Sequence, residues 1–209
     1  MFIGKWNKSV ILTYVGMVFS LLGMALAMDG RFNLSVQCLI MAGLCDLFDG
    51  PVARSFKRTS EEKAFGVEID SLVDAVNFIA FPAVILMTYT AEEDFAVKPV
   101  AVAVLAVFTV CGIARLAYFN MMTKEKKDSG PISHYRGLPV TYTAMILALT
   151  YCLKFILDAG MARLVFLGAY PVIAFFQILD IPIAKPKGGA YLFFLFAAIA
   201  VLVGLGLSA

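Results

Sequence analysis

Long apolar stretches alternate with short polar ones along the whole chain. The apolar runs fall at residues 10–28, 33–52, 67–90, 97–122, 138–157, 161–179 and 190–207. A helix that spans a bilayer needs about 20 mostly apolar residues. Lipid offers no partner to an open backbone N–H or C=O, so helices are the expected form. The pattern predicts an all-α fold: a polytopic integral membrane helical bundle with about six to seven transmembrane helices. The sixth run follows a short connection, residues 158–160, which also allows a helical hairpin or a kinked pair. The first run lacks an obvious small-residue cleavage site and is expected to remain as a helix. Nothing in the pattern suggests a repeat or a separate soluble unit, so residues 1–209 read as a single membrane domain.

Composition agrees with this pattern. The chain is 61% hydrophobic and 15% charged, with a mean hydropathy of +0.88. A soluble domain carries about 25% charged residues. The net charge of +2 gives no case for nucleic acid as a partner. The cysteines Cys38, Cys45, Cys111 and Cys152 all lie in apolar runs without a CxxC pair. They read as small buried hydrophobes, not as a zinc site or a disulfide framework.

The distribution of charge predicts an orientation. With the N-terminus in the cytoplasm, Lys5, Lys8, Arg54, Lys57, Arg58, Lys63, Lys124, Lys126, Lys127, Arg136, Lys185 and Lys187 all face the cytoplasm. Arg31, Lys98, Lys154 and Arg163 fall on the other side, with the acidic residues Glu92, Glu93 and Asp94. Seven spans would then leave the C-terminus outside. The same assignment puts four aspartates at the cytoplasmic ends of the second and third runs.

Those aspartates are the candidate chemistry. Asp46 and Asp49 are three apart and share a helix face; Asp70 and Asp74 are four apart and share another. Ionisable groups at membrane depth are costly and point to function. If the two faces meet, four carboxylates converge, and they need a counter-charge to stay ionised together. An all-oxygen carboxylate site suits Mg²⁺, Mn²⁺ or Ca²⁺. Gly50 and Ala53 continue the Asp46 stripe and leave room for a ligand, and Arg54 is placed for a phosphate. Thr59 and Ser60 can donate hydroxyl hydrogen bonds from the connecting loop. The plainer alternative is a salt-bridged helix interface, with the aspartates paired to Arg54, Lys57 or Arg58.

The string Asp46-x2-Asp49-Gly50-x2-Ala53-Arg54, followed by Gly66-x3-Asp70-x3-Asp74, resembles the signature of the CDP-alcohol phosphatidyltransferase family. That family usually has eight residues between the arginine and the next glycine; here residues 55–65 intervene. The extra residues are expected in a polar loop, among Glu61, Glu62 and Lys63, where insertions are tolerated. The resemblance implies that Asp46, Asp49, Asp70 and Asp74 hold two divalent cations, Mg²⁺ or Mn²⁺, with Ca²⁺ as a non-productive occupant. It implies that Asp74 is also the general base. Gly50, Ala53, Arg54, Ser60 and Gly66 would line the CDP-lipid site, with Thr13 on the first helix as a further contact. The resemblance also implies a homodimer, and the charge-based orientation places its active site at the cytoplasmic interface of the cell membrane.

The acceptor alcohol is read from other residues. The strings Arg115-Leu116-Ala117-x-Phe119-Asn120 and Gly137-Leu138-Pro139 resemble the phosphatidylserine synthase branch of the family, as does Asp70-Ser71-Leu72-x-Asp74. That branch often has Ser where Asn77 stands. The resemblance implies CDP-diacylglycerol and L-serine as substrates, giving phosphatidylserine and CMP. Arg115 is a cation at lipid depth and needs an anion: a serine carboxylate, a lipid phosphate or one of the aspartates. Asn120 would read the acceptor or cap its helix. His134 and Arg136 read as surface residues. Glycerol 3-phosphate or an inositol phosphate are alternative acceptors, although both would want more basic residues in the cleft. A cation transporter is a third reading, disfavoured because transporter sites lie near the bilayer midplane.

Overall fold

A computed structural model describes residues 4–5, 7–91, 97–125, 134–184 and 189–208. The lysines and acidic residues at 92–94, 126–127, 185 and 187 lie outside the described residues, as do the side chains of Lys124 and His134. The chain forms α1 (Ile11–Met28), α2 (Phe32–Ser55), α3 (Ser60–Ala75), α4 (Phe81–Tyr89), α5 (Val97–Glu125), α6 (Tyr142–Cys152), α7 (Ala159–Ile178) and α8 (Gly189–Gly206). Helices α3 and α4 are one continuous rod, joined through a π-helical turn at Val76–Ala80. The fold is an all-α polytopic membrane bundle. Among the described residues, six helical segments are long and apolar enough to cross a membrane.

Two expectations need correction. The fifth apolar run, expected as a full-length spanning helix over residues 138–157, forms only a short one. The sixth is the 20-residue helix α7, whereas α6 has 11 residues and ends in a 3₁₀ turn at Leu153–Phe155. Gly137 has φ +70°, and a Cβ there would lie 2.4 Å from the Gln177 carbonyl oxygen. Pro139 follows, and the Leu138 N–H is given to the Phe176 carbonyl at 2.8 Å. The first residues of that run are thus held in a turn against α7. Even so, α6 crosses the bundle interior. Tyr142 lies at the aspartate end, and the Tyr151 hydroxyl donates to Asn33 Oδ1, at the opposite end of α2, at 2.9 Å.

The second correction concerns the polar loop. Helix α2 runs to Ser55 and α3 begins at Ser60, so only residues 56–59 connect them. Glu61, Glu62 and Lys63 form the first turn of a helix, not a loop. Thr59 caps it: its hydroxyl accepts from the Glu62 N–H at 3.2 Å, and Glu62 Oε2 accepts from the Thr59 N–H at 2.8 Å. This reciprocal capping box satisfies two N–H groups that the helix start leaves over. The three residues beyond the family's usual spacing therefore amount to nearly one added turn of α3.

Small residues let the helices approach closely, as lipid-embedded interfaces require. A Cβ on Gly23 of α1 would lie 2.1 Å from the Phe81 ring and 2.8 Å from Cys38 Cβ. The core runs through Leu39, Phe78, Phe81, Phe108, Phe166, Tyr170 and Leu205. Tyr170 is fully buried, and its hydroxyl is satisfied by the Pro82 carbonyl at 2.8 Å. Large apolar side chains such as Val18, Val110, Leu164, Phe193 and Phe196 face outward. The cysteines are free; Cys38, Cys45 and Cys111 are buried and Cys152 is half-buried.

The two ends of the bundle differ. Lys5 Nζ reaches Glu61 at 2.7 Å and Asn7 donates to Glu62 at 3.1 Å, so the N-terminal residues lie at the start of α3, near the aspartates. The hydrogen bond to Glu61 raises the Lys5 pKa above its usual value. Ser208 lies at the other end, where Asn33 Nδ2 donates to its hydroxyl at 3.1 Å. A two-stranded antiparallel ribbon, β1 (His134–Arg136) with β2 (Pro182–Ala184), ties the segment before α6 to the segment after α7. The apolar pattern gave no sign of it.

Candidate active site

The four aspartates meet. One carboxylate oxygen from each of Asp46, Asp49 and Asp70 lies within 4.8 Å of the others. Asp74 joins through Asp46, whose carboxyl is within hydrogen-bonding reach of it. Spacing explains the meeting: Asp46 and Asp49 occupy one face of α2, and Asp70 and Asp74 the facing stripe of α3. Asp49 is buried and the other three are half-buried. Two residues beyond Asp74 the π turn begins and widens the helix, and Asn77 within it is buried. Such turns occur frequently at functional sites.

Two hydroxyls hold the carboxylates in place. Thr13 Oγ1 of α1 donates to Asp49 Oδ2 at 2.9 Å. Thr141, just before α6, bonds the Asp46 carboxylate. Carboxylates brought this close repel one another in a low-dielectric setting unless a cation lies between them. Hard carboxylate oxygens in such number are the donor set that a divalent cation of the Mg²⁺ or Mn²⁺ type takes. The arrangement therefore fits divalent metal binding.

The aspartates line a cleft of about 260 Å³ that opens at their end of the bundle. Gly50 and Arg54 of α2 line it, as do Arg115 and Asn120 of α5. A Cβ on Gly50 would have only Arg54 Nη1 near it, at 3.6 Å, so the glycine leaves open space there. Arg115 is buried, and its guanidinium stacks over the Phe119 ring with 5.2 Å to the centroid. Asn120 Nδ2 donates to Ser71 Oγ at 2.8 Å; it does not simply cap the end of α5, which continues to Glu125.

The remaining sequence candidates lie outside the cleft lining. Thr13 acts on it through Asp49. Ala53 is half-buried, and Ser60 is exposed at the first position of α3. Gly66 faces Val10 and Arg58; a Cβ there would be 3.7 Å from Val10 Cγ1. Thr59 is committed to its cap. Arg136 pairs with Asp180 at 2.5 Å in an exposed ion pair. Arg54, Lys57 and Arg58 form no ion pair with the four aspartates among the described residues, which removes the main support for a purely structural interface.

The cleft is also lined by Ser71 and Phe119, which the sequence motifs contain without assigning a role, and by Thr141, Tyr142 and Tyr191, which they do not contain. Ser71 and Thr141 are polar residues at the aspartate ends of apolar runs, a signal readable in the sequence. Tyr191 comes from α8, which reaches the cleft because Phe194 packs its ring against Tyr142 with centroids 5.2 Å apart. No local pattern announces that contact.

Comparison with known proteins agrees with the geometry. The family model described as CDP-alcohol phosphatidyltransferase matches residues 6–179. A CDP-diacylglycerol–serine O-phosphatidyltransferase of Saccharomyces cerevisiae is 38% identical over 120 residues, 55% of this chain and 41% of the relative. An archaetidylserine synthase of Methanothermobacter thermautotrophicus is 34% identical over 134 residues, 64% of this chain and 53% of the relative. A CDP-diacylglycerol–serine O-phosphatidyltransferase of Helicobacter pylori is 32% identical over 140 residues, 66% of this chain and 55% of the relative. The chain spans about half the length of these relatives.

Proposed function

The chain belongs to the CDP-alcohol phosphatidyltransferase family, and from that premise we propose that it transfers a phosphatidyl group from CDP-diacylglycerol to L-serine, releasing CMP. The observation that carries this reading is the convergence of four carboxylates from two helices in a cleft that also holds Arg54 and Arg115. The names of the relatives support serine as the acceptor. An ether-linked CDP-lipid would suit the same headgroup site.

In this reading Asp46, Asp49, Asp70 and Asp74 hold two divalent cations, Mg²⁺ or Mn²⁺. When bound, such cations supply positive charge that offsets the diphosphate and the departing CMP. Arg54 and the open space at Gly50 receive the diphosphate, with Ala53, Ser60 and Gly66 around that end of the site. Thr13 and Thr141 fix the direction of the Asp49 and Asp46 oxygens. Asp74 accepts the proton of the serine hydroxyl, because a neutral hydroxyl is a poor nucleophile until a base takes its proton. The serine oxygen then forms a bond to the lipid-side phosphorus, and the bond from that phosphorus to the CMP oxygen breaks. Arg115 holds the serine carboxylate and Asn120 contacts the same substrate. The reading also takes residues 1–209 as one domain that pairs into a homodimer, with the cleft at the cytoplasmic interface.

The test is CMP release by the purified full chain in detergent, with CDP-diacylglycerol, Mg²⁺ or Mn²⁺, and each acceptor in turn. L-serine should support turnover, and glycerol 3-phosphate and inositol phosphate should not. Turnover with either phosphate and none with serine would overturn the acceptor but not the transfer chemistry. No CMP release with any alcohol would overturn both.

A further inference from the structure

The cleft residue Ser71 carries no role in the transfer reading above, yet it is held in place by a hydrogen bond from a neighbouring helix. It follows Asp70 directly and precedes Asp74 by three residues, so it shares a helix face with the proposed base. It lines the cleft, and so does Asn120 on the neighbouring helix. Asn120 Nδ2 donates to Ser71 Oγ at 2.8 Å. A hydroxyl has one proton to give and two lone pairs, and an amide has a carbonyl oxygen besides its NH₂. The hydrogen bond uses one lone pair of Ser71 and one proton of Asn120. Among the described residues, neither the Ser71 proton nor Asn120 Oδ1 has a hydrogen-bond partner. This pair therefore offers the cleft one donor and one acceptor side by side. Arg115, stacked on Phe119 one turn earlier in α5, adds a guanidinium to the same wall.

We propose that Ser71 is a specificity-determining residue of the acceptor pocket, its hydroxyl held by Asn120 so that the pair selects a zwitterionic α-amino acid. The inference rests on the phosphatidyl-transfer reading above. The carboxylate of such an acceptor takes the Ser71 proton together with the Arg115 guanidinium, and its ammonium gives a proton to Asn120 Oδ1. The phosphate group of a monoester is mostly dianionic at neutral pH, so its oxygens meet that carbonyl as acceptor facing acceptor. An amino alcohol without a carboxylate leaves the Ser71 proton unmatched in an acceptor pocket closed off by the bound ligand, and an unmatched polar group there costs more than a hydrogen bond gains. The selection lies in the complementary pair, not in net charge.

The experiment measures CMP release by the full chain in detergent, varying L-serine and CDP-diacylglycerol separately, for the wild type, Ser71→Ala and Ser71→Thr. Ser71→Ala should raise the KM for serine about tenfold, as expected for a hydrogen bond to a charged group. Its KM for the CDP-lipid should stay within about twofold, because the lost contact is on the acceptor side. Ser71→Thr keeps the hydroxyl and should restore the serine KM. A pair that merely ties α3 to α5 would change both KM values in parallel, and that result, or an unchanged serine KM, would overturn the proposal. A second measurement needs no variant. Ethanolamine lacks the carboxylate and glycolate lacks the ammonium, so each should compete with serine at least about tenfold less well than an amino acid that keeps both groups. Equal competition overturns the proposal even if Ser71→Ala does not fold. A wild type that uses no amino acid at all fails the functional reading; one that uses serine but ignores Ser71 fails only this inference.

Discussion

Thr13 Oγ1 donates to Asp49 Oδ2 at 2.9 Å across the α1–α2 interface. The bond joins a residue from the first helix to the most buried of the aspartates, and it fixes one carboxylate oxygen so that the other can face the cleft. Groups that orient metal ligands are worth about 10- to 100-fold in metal affinity or activity. Thr13→Val keeps the shape but removes the donor, so activity at limiting Mg²⁺ should fall by about that factor, and added Mg²⁺ should recover part of it. Thr13→Ser should behave like the wild type. A Mg²⁺ titration of CMP release checks this; an unchanged half-saturating Mg²⁺ concentration for Thr13→Val counts against the orienting role.

The carboxylates themselves should be indispensable. Asp46→Asn and Asp70→Asn keep side-chain size but each removes a charge from the cluster. Turnover should be lost while the protein still elutes as a folded species in detergent. EDTA should silence the wild type, and Mg²⁺ or Mn²⁺ should restore it. Full activity in EDTA excludes a metal-dependent reaction.

How much of this was readable in advance follows from what each level of structure depends on. The long helices were legible because lipid forces backbone groups to pair within each segment. The aspartate cluster was legible because spacings of three and four fix a helix face wherever the helix goes. The start of α3 was misread, since Glu61, Glu62 and Lys63 look like loop residues when only apolarity is followed. The capping pattern Thr59-x-x-Glu62 was the better signal there. The short α6 depends on Gly137 and Pro139, whose effect shows only once α7 lies against the turn. Tyr191 depends on where α8 packs, which no local spacing encodes.

Gly137 offers a direct test of that turn. At φ +70°, with the Gln177 carbonyl oxygen 2.4 Å from a would-be Cβ, alanine is both strained and crowded. Gly137→Ala should cost at least about 1–3 kcal/mol, the usual range for a residue forced into such a backbone region. The shift should carry Pro139 and Thr141 with it, since both line the cleft, and so lower turnover as well. Thermal unfolding in detergent together with CMP release measures both effects. A variant as stable as the wild type would show that the turn yields easily.

The orientation of the bundle has an equally direct check. Exposed Lys57 lies in the α2–α3 connection at the aspartate end, and exposed Asp29 closes α1 at the other. With Cys152 replaced by serine, Lys57→Cys should react with an impermeant thiol reagent only from the cytoplasmic side. Asp29→Cys should react only from the opposite side. The excess of lysine and arginine at the aspartate end motivates this direction. The reverse labelling pattern would put the cleft on the non-cytoplasmic face and count against the proposed CDP-lipid substrate.

Arg115 separates the acceptor from the rest of the reaction most sharply. It is buried, stacked on Phe119, and lines the cleft together with the aspartates. Lysine keeps the charge but loses the planar fork that grips a carboxylate at two points. Arg115→Lys should therefore weaken serine binding by about 1.5–3 kcal/mol, the worth of a hydrogen bond to a charged group. That loss corresponds to a rise in the serine KM of roughly 10- to 150-fold at about 1.4 kcal/mol per factor of ten. The KM for CDP-diacylglycerol should move far less. Asp74→Asn should give the opposite signature, a collapse of kcat, because it removes the proposed base and a proposed metal ligand together. Steady-state kinetics with each substrate varied in turn separates the two. If Arg115→Lys instead lowers kcat and leaves the serine KM alone, the guanidinium serves the aspartates or the diphosphate, and the acceptor carboxylate must be held elsewhere.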